Sequence, residues 1–239
     1  MDILHQPERV IIEYNGMWLV SNFEKMQLPT GWGVEQQITC VDGSTFQMYM
    51  ANMKSIFMDM IKNTDMVIFN RCKKEDPLPT YRRGIKVANQ RAEVIFEDEE
   101  GELGDIFQDE MPFDMNAPVI EILPEDYGIW FVDAMDHPEN YEGKTVKFKA
   151  RVMKPRGMGS KFFVPGRTAM TCCADDTTFL GYVCKSAYAP KLTPGEWVEV
   201  TAKVGIEKRN EYQGEEGIVL SAEHVEQCDP LEDEMVYFN

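Results

Sequence analysis

The sequence predicts two successive units, an α/β unit with a parallel sheet followed by an all-β barrel. The chain has 239 residues, a length that favours one large domain or two small ones. Apolar runs of strand length alternate with helical patterns in residues 1–97, whereas short strand patterns separated by turn signals fill residues 117–239. The acidic segment between them, residues 98–116, is interpreted as a linker.

The α/β unit is predicted from short apolar runs and a clear helical stripe. Apolar side chains at spacings of three and four predict an amphipathic helix over Phe46–Ile61, and a second helix is expected at Tyr81–Gln90. The expected strands are Arg9–Ile12, Gln36–Val41, Met66–Phe69 and Glu93–Phe96. Because each strand is a continuous apolar run next to a helix, we expect a parallel sheet that is covered on both faces.

The barrel is predicted from short strands separated by Gly and Pro turn signals. The candidate strands are Gly128–Asp133, Thr145–Met153, Lys161–Thr171, Phe179–Cys184, Trp197–Val204 and Gly217–Ala222. Five or six such strands with little helix, spread over about 120 residues, favour a small closed barrel.

Charge is distributed unevenly along the chain and limits the classes of partner. Residues 92–143 contain 17 acidic residues and no Lys or Arg, whereas acids and bases number 24 each elsewhere. There is no basic stripe, so no nucleic-acid partner is expected. No apolar run approaches the roughly 18 residues of a membrane span, and residues 1–7 do not resemble an export signal. We therefore expect a cytoplasmic protein that does not itself span a membrane and whose thiols are reduced.

Four segments of the first unit resemble, in order, the motifs of CobW-type GTPases. They are Val10-Ile11-Ile12-Glu13-Tyr14-Asn15-Gly16, Thr39-Cys40-Val41-Asp42-Gly43, Thr64-Asp65-Met66-Val67-Ile68-Phe69-Asn70 and Ala88-Asn89-Gln90-Arg91-Ala92-Glu93-Val94-Ile95. The resemblance implies a partial GTPase-like sheet with a site for GTP and Mg²⁺. In that site Glu13 would hold a Mg²⁺-bound water, Gly16 would let the backbone approach the γ-phosphate, and Asn70 would brace the base-binding loop.

Two departures from the family pattern bear on this nucleotide site. Arg71 and Lys73 stand where the family has a stacking Lys and a guanine-binding Asp, and a cation cannot accept hydrogen bonds from guanine. No G-x-x-x-x-G-K-[ST] phosphate loop is present. We expect no GTPase activity from this chain alone, either because an N-terminal half is missing or because the unit is a relic. In the alternative interpretation, Glu13 and Asn70 only end strands of an inert α/β unit.

The second unit resembles the soluble domain of the accessory subunit of bacterial two-component permeases. The motifs are Asn140-Tyr141-Glu142-Gly143-Lys144, Arg167-Thr168-Ala169-Met170-Thr171-Cys172-Cys173-Ala174-Asp175-Asp176, Gly195-Glu196-Trp197-Val198-Glu199-Val200-Thr201 and Met235-Val236-Tyr237-Phe238. The resemblance covers residues 117–239 and implies an OB-like barrel with a membrane permease subunit as partner. Members of that family usually carry N-terminal membrane helices, and this sequence contains none.

The adjacent Cys172 and Cys173 are candidate ligands for a metal ion. Neighbouring residues of a strand point to opposite faces, so both thiolates reach one ion only where the strand breaks, as residues 174–176 would permit. Thiolates favour Zn²⁺ or another thiophilic metal, and Cys184 is a further candidate ligand. Two alternatives stay open: one cysteine packs in the barrel while the other is incidental, or the pair performs redox chemistry.

Three other residues of the second unit bear on the cysteine pair. His224 and Cys228 are four residues apart and share a face in a strand or a helix, so they are more remote candidates for the metal. Arg167 is expected either to lower the pKa of a nearby thiol or to pair with Asp175.

The two resemblances together imply a CobW-like, GTP-binding, metallochaperone-related protein with a permease-associated domain, acting in metal or small-solute handling. The alternative is a non-enzymatic binding module that docks on a membrane permease partner. A third possibility is a thiol-redox protein. Titration with GTP distinguishes the first two, and metal analysis under reducing conditions distinguishes the third.

Overall fold

The computed structural model describes residues 7–104, 111–171 and 177–237. Two separate sheets organise these residues, and each has its own hydrophobic core. The first sheet has three strands and lies in the first half of the chain, while the second forms a barrel in the other half. Within the described ranges, no helix is long and apolar enough to cross a membrane.

The first sheet is parallel, as the sequence predicts. Its strands are β1 (Ile38–Asp42), β2 (Met66–Asn70) and β3 (Glu93–Phe96), in that spatial order. Helix α2 (Phe46–Ile61) connects β1 to β2, and α3 (Leu78–Ala88) connects β2 to β3. A short helix, α1 (Val20–Glu24), precedes the sheet, and its Ser21 amide donates to Asp59 of α2 over 3.0 Å.

Both connecting helices cover the same face of this sheet, as expected for right-handed crossovers between strands in sequential order. The side chains of Val41, Val67, Phe69 and Phe96 alternate toward that face and are buried. They pack against Phe46, Phe57, Ile61, Leu78, Tyr81 and Ile85 of the two helices in one core cluster. The expectation of a sheet covered on both faces is therefore wrong within the described residues.

The strand expected at Arg9–Ile12 is also absent, and Glu13 does not end a buried strand. Ile11 is 90% exposed and Ile12 is 56% exposed, and neither residue pairs with the edge of the sheet. A strand is stabilised by cross-strand pairs and by burial of one face. An apolar run without cross-strand pairs and without a buried face stays irregular, whatever its composition.

The second sheet closes into a five-stranded barrel, which confirms the barrel prediction. Its strands are β5 (Thr145–Met153), β6 (Phe162–Met170), β7 (Thr177–Gly181), β8 (Val183–Lys185), β9 (Trp197–Lys208) and β10 (Glu216–Gln227). The ring runs β5-β6-β8-β10-β9 and returns to β5. Strands β7 and β8 follow each other along β6 and together form one position of the ring. All neighbours in the ring are antiparallel except β8 and β10, which are parallel. This order is OB-like.

Two short strands and one helix complete this unit. Strand β4 (Ile120–Glu121) pairs with the start of β5, and β11 (Met235–Val236) pairs with β6. Helix α4 (Tyr127–Asp136) occupies the segment Gly128–Asp133, which the sequence predicts as a strand. A short continuous apolar run does not distinguish a strand from a buried helix. Here a turn at Pro124–Asp126 leads directly into the helix.

The aromatic side chains of α4 fix it to the barrel. The Trp130 and Phe148 rings lie 4.8 Å apart, and Phe131 stacks on Tyr182 at 4.8 Å. The Tyr127 hydroxyl donates to the carbonyl of Leu180 over 3.0 Å. The helix therefore belongs to the barrel core.

The two units contact each other through α3 and α4. Asp136 of α4 forms an ion pair with Arg82 and lies 3.6 Å from the Lys86 ammonium of α3. The Asp136 side chain is almost fully buried at this contact. The segment predicted as a linker is anchored on both sides, because Leu103 packs in the first core and Phe113 in the second.

Candidate functional site

The carboxyl edge of the parallel sheet brings together polar side chains from neighbouring strands. Asp42 and Asn70 are partners in the β1–β2 register, and each is the last residue of its strand. The Asp42 carboxylate accepts from the hydroxyl of Ser44 at 2.6 Å and from Arg71 at 2.5 Å. The hydrogen bond from Ser44 and the charge of Arg71 lower the pKa of Asp42. Arg71 has a positive φ of 55°, which turns the chain sharply at the end of β2.

Asn70 itself has an unmet hydrogen-bonding capacity. Its Oδ1 atom is buried and has no hydrogen-bond partner among the described residues. Next to it the chain leaves little room, since a Cβ atom on Gly43 would lie 2.7 Å from the Cys72 sulfur and 3.0 Å from the Asn70 carbonyl oxygen. Cys72 is buried, and burial raises the pKa of its thiol to about 11. Cys72 is therefore a neutral packing residue.

The other two residues that the resemblance assigns to a nucleotide site lie elsewhere. Glu13 and Gly16 are exposed in the irregular N-terminal segment. The Gly16 carbonyl accepts from the Tyr49 hydroxyl of α2 over 3.2 Å. No hydrogen bond or ion pair within the described ranges joins Glu13 or Gly16 to Asn70.

Of the three cysteines predicted as metal ligands, only Cys184 lies among the described residues. Cys172 and Cys173 lie outside the described residues, between the end of β6 and the start of β7. Cys184 lies inside the barrel with no exposed surface, and desolvation raises the pKa of its thiol to about 12. In the part of the chain that is described, no three His, Cys, Asp or Glu side chains cluster as a metal site would require.

His224 and Cys228 are four residues apart in extended chain, about 13 Å at roughly 3.3 Å per residue, which is too far to share one metal ion. His224 is exposed on β10 and lies 3.2 Å from the carboxylate of Glu226. Cys228 follows β10 and is half-buried, and desolvation raises the pKa of its thiol.

Arg167 has a role that the sequence analysis did not predict. Arg167 is 2% exposed, and its guanidinium donates to the backbone carbonyls of Pro124, Asp233 (3.0 Å) and Met235 (3.1 Å). It also lies 5.6 Å from the centre of the Tyr127 ring. Burial lowers the pKa of Arg167. The side chain thus ties two remote segments to β6, and backbone acceptors leave no signal in a sequence.

A cleft of about 230 Å³ opens beside β5 on the surface of the barrel. It is lined by Ile122, Leu123, Lys147, Lys149, Glu199 and Leu231, among others. On this edge of β5, β4 pairs with Val146 and Lys147, and β6 pairs only from Arg151 onward. The intervening Phe148–Ala150 has no strand partner there among the described strands.

Charge in this cleft is unevenly neutralised. Lys147 is paired with Glu199 at 2.9 Å. Lys149 is half-buried and has neither a hydrogen bond nor an ion pair with any described residue. Since Phe148 and Ala150 are buried, the cleft offers apolar walls and the unpaired cation of Lys149.

Similarity to solved structures is weak and covers only part of the chain. A mitochondrial single-stranded DNA-binding protein of S. cerevisiae has 10% identity and a TM-score of 0.23, over 37% of this chain and 97% of its own. The aspartyl-tRNA synthetase of Entamoeba histolytica has 15% identity and a TM-score of 0.26, over 49% of this chain and 27% of its own. No curated protein matches the chain.

One family does match, and it accounts for the second unit. The DUF1980 C-terminal domain matches residues 102–238, which is more than half of the chain. The match includes all five strands of the barrel ring, the cleft beside β5 and the Cys172-Cys173 pair. The chain therefore belongs to the family of proteins with a DUF1980 C-terminal domain.

Proposed function

We propose that this protein is a cytoplasmic, non-enzymatic binding module that docks on a membrane permease partner. The barrel provides the docking surface, and the cleft beside β5 holds a segment of the permease. The resemblance of residues 117–239 to permease accessory subunits and the family membership of this unit support a permease as the partner.

The cleft with the unpaired Lys149 is the observation that carries this proposal. An extended peptide segment can lie in it beside β5, held by side-chain contacts with the cleft walls. The apolar walls at Leu123 and Leu231 would take alternate apolar side chains of that segment. Lys149 would pair with an acidic side chain or a terminal carboxylate.

The interior chemistry of the barrel supports a binding role rather than catalysis. Burial raises the pKa of Tyr127, of Tyr182 and of the Cys184 thiol, which moves all three further above physiological pH. A general acid or base works best with a pKa near the operating pH. None of these buried groups meets that condition.

Binding of the full chain to a purified two-component permease in lipid nanodiscs tests the proposal. We expect a complex that Lys149→Glu weakens about tenfold, since it places a like charge against the acidic end of the segment. Lys203→Glu, an exposed charge reversal on β9, serves as the matched control. Absence of binding at about 100 μM would refute docking. Equal effects of the two substitutions would refute the cleft as its site.

A second candidate function is GTP binding in a CobW-like, metallochaperone-related role. The buried, unpartnered Oδ1 of Asn70 at the carboxyl edge favours it, because ligands of open α/β sheets bind outside that edge. In this role Asn70 would accept a hydrogen bond at the nucleotide, with Glu13 and Gly16 moving toward a Mg²⁺-bound phosphate. Titration calorimetry with GTP and Mg²⁺ tests it. We expect the native chain to release or absorb heat on binding GTP, and Asn70→Ala to abolish this heat. Asn63→Ala, at an exposed position, should retain it. If the native chain gives no heat of binding, this proposal is refuted.

Binding of Zn²⁺ or another thiophilic metal at Cys172 and Cys173 is the corresponding cofactor proposal. Cys184 serves as a control, because its neutral thiol inside the barrel is a poor ligand. We expect a Cys172→Ser/Cys173→Ser double variant to lose metal and keep its circular dichroism, while Cys184→Ala keeps the metal. Unchanged metal content in the double variant would exclude this pair as the site.

A further inference from the structure

The α/β unit has an open face, which we define as the side of its sheet opposite α2 and α3. Strand alternation and the parallel register place Ile38 and Cys40 of β1, Met66 and Ile68 of β2, and Ile95 of β3 on it. Ile38 is 47% exposed, and Met66, Ile68 and Ile95 are half-buried. The open face is therefore an apolar surface three strands wide.

None of these side chains belongs to either hydrophobic core. The reason lies in the topology, because two crossovers of the same hand between strands in sequential order put both helices on one side. Parallel sheets occur almost only with both faces covered. Other parallel sheets thus lead us to expect a cover on the open face, and no element of the described residues provides it.

The border of the open face is acidic along β3. Glu93 lies on the face itself, in register with Met66, and is exposed. Glu97 follows the strand, and residues 98–100 add three further acids without a base. The cation nearest in sequence to this border is Arg91, and Arg71, at the same carboxyl edge as Glu97, is engaged with Asp42.

We propose that the open face binds an amphipathic α-helix of another protein, whose apolar stripe is flanked by Lys or Arg. A helix is the layer that covers a parallel sheet in α/β folds. It would lie along the strands, and a stripe of two to three turns, about 11–16 Å, matches the length of strands of four or five residues. The acidic border selects basic flanking residues. A second copy of this chain is a poor occupant, because facing sheets would bring two acidic borders together. This inference does not depend on docking at the barrel.

Methyl NMR with two designed peptides tests the proposal on the full chain. Both peptides are 18-residue helices with the same leucine stripe, flanked by Lys in one and by Glu in the other. We expect the lysine peptide to shift the methyl signals of Ile38, Ile68 and Ile95, and to leave Ile61 and Ile85 of the opposite face unchanged. The glutamate peptide should bind about tenfold more weakly.

A charge reversal on the open face adds a test that does not disturb the core. Glu93 is exposed, so Glu93→Lys should fold normally, weaken the lysine peptide about fivefold and strengthen the glutamate peptide. Glu139→Lys, an exposed acid of the barrel unit, should change neither affinity.

Several results would overturn the proposal. Methyl shifts that are absent at about 1 mM peptide, or that extend equally to Ile61 and Ile85, would exclude the open face. Equal affinity for both peptides would exclude a basic partner. Concentration-dependent shifts of Ile38, Ile68 and Ile95 without peptide would identify a second copy as the occupant. The same shifts with phosphatidylcholine vesicles alone would identify a lipid surface.

Discussion

Arg167 illustrates how a single buried charge can organise remote parts of a chain. Its three carbonyl acceptors come from the turn before α4 and from the segment that contains β11. Removing the guanidinium leaves these part-buried acceptors without their donor, which costs up to roughly 1–3 kcal/mol for each group. We expect Arg167→Met to lower the free energy of unfolding by about 3 kcal/mol, measured by urea denaturation.

Arg156 provides the control for this substitution. It lies exposed in the loop between β5 and β6, and Arg156→Met removes the same charge without a buried partner. We expect a change within about 0.5 kcal/mol there. If both substitutions cost the same, the carbonyl contacts of Arg167 do not stabilise the fold.

The buried thiols make stability depend on pH in the alkaline range. In the unfolded chain Cys184 ionises near its ordinary pKa of 9.0, whereas in the folded state its pKa is about 12. Between these values the folded state binds more protons, so stability that is fully present below pH 9 is lost as the pH rises. Cys72, with a pKa of about 11, adds to this loss. Each thiol contributes a slope of up to about 1.4 kcal/mol per pH unit.

Unfolding by urea between pH 8.5 and 10 measures this slope. Cys184→Ala should reduce it, even though the substitution also lowers stability at every pH. Cys40→Ala, which removes an exposed thiol, is the control measured beside it. If the stability of Cys184→Ala falls with pH as steeply as that of the native chain, burial does not keep the Cys184 thiol protonated.

Residue roles could be predicted from the sequence only where a local pattern determines them. The spacing of residues predicts that Asn70 ends a strand, and the structure has it there. The exposure of Glu13 and the burial of Arg167 depend on contacts with residues that are remote in sequence. No local pattern encodes those contacts.

At the scale of elements, two paired glycines allow β6 and β7 to approach closely. Gly166 and Gly181 are partners in the register. A Cβ atom on Gly166 would lie 2.3 Å from the Leu180 carbonyl oxygen, and one on Gly181 would lie 2.7 Å from the Pro165 carbonyl oxygen. Backbone atoms cannot yield as a flexible side chain can. We expect Gly166→Ala and Gly181→Ala each to lower the melting temperature by several degrees, at a cost of roughly 1–3 kcal/mol.

Gly205 on β9 is the matched control for these two positions. A Cβ atom there would meet nothing closer than 3.7 Å, and its φ is not positive. Since Ala in a strand is slightly favoured over Gly, Gly205→Ala should be neutral or stabilising by up to about 0.5 kcal/mol. Differential scanning calorimetry of the three variants compares them directly, and equal melting temperatures would contradict the close approach.

Elements with a clear period were predictable, and short apolar runs were not. The helical stripe predicts α2 with its observed bounds, and the alternation of Thr145–Met153 predicts β5. The runs at Arg9–Ile12 and Gly128–Asp133 have no period, so only tertiary context decides their conformation. One stays irregular without a neighbour, and the other packs as a helix against the barrel.

At the scale of the whole molecule, Asp136 couples the two units. It is buried between Arg82 and Lys86 of α3, and removing its charge leaves two cations at a desolvated contact. Breaking a buried pair in this way costs roughly 3–5 kcal/mol. We expect Asp136→Asn to separate the unfolding of the α/β unit from that of the barrel, so that calorimetry records two transitions in place of one.

The exposed Asp229→Asn removes a charge of the same kind outside this contact. It should retain the unfolding profile of the native chain. A single unchanged transition in Asp136→Asn would mean that other contacts between the units are sufficient to couple them.

The contrast between the closed barrel ring and the open sheet face has a consequence for biosynthesis. The ribosome delivers the α/β unit first, and domains tend to fold as they emerge. Nascent chains of this protein therefore present uncovered apolar strands to the cell before the barrel exists. We expect chaperones that hold nascent chains to associate with this protein during synthesis of its first half, and heterologous yield to depend on them more than on any property of the barrel.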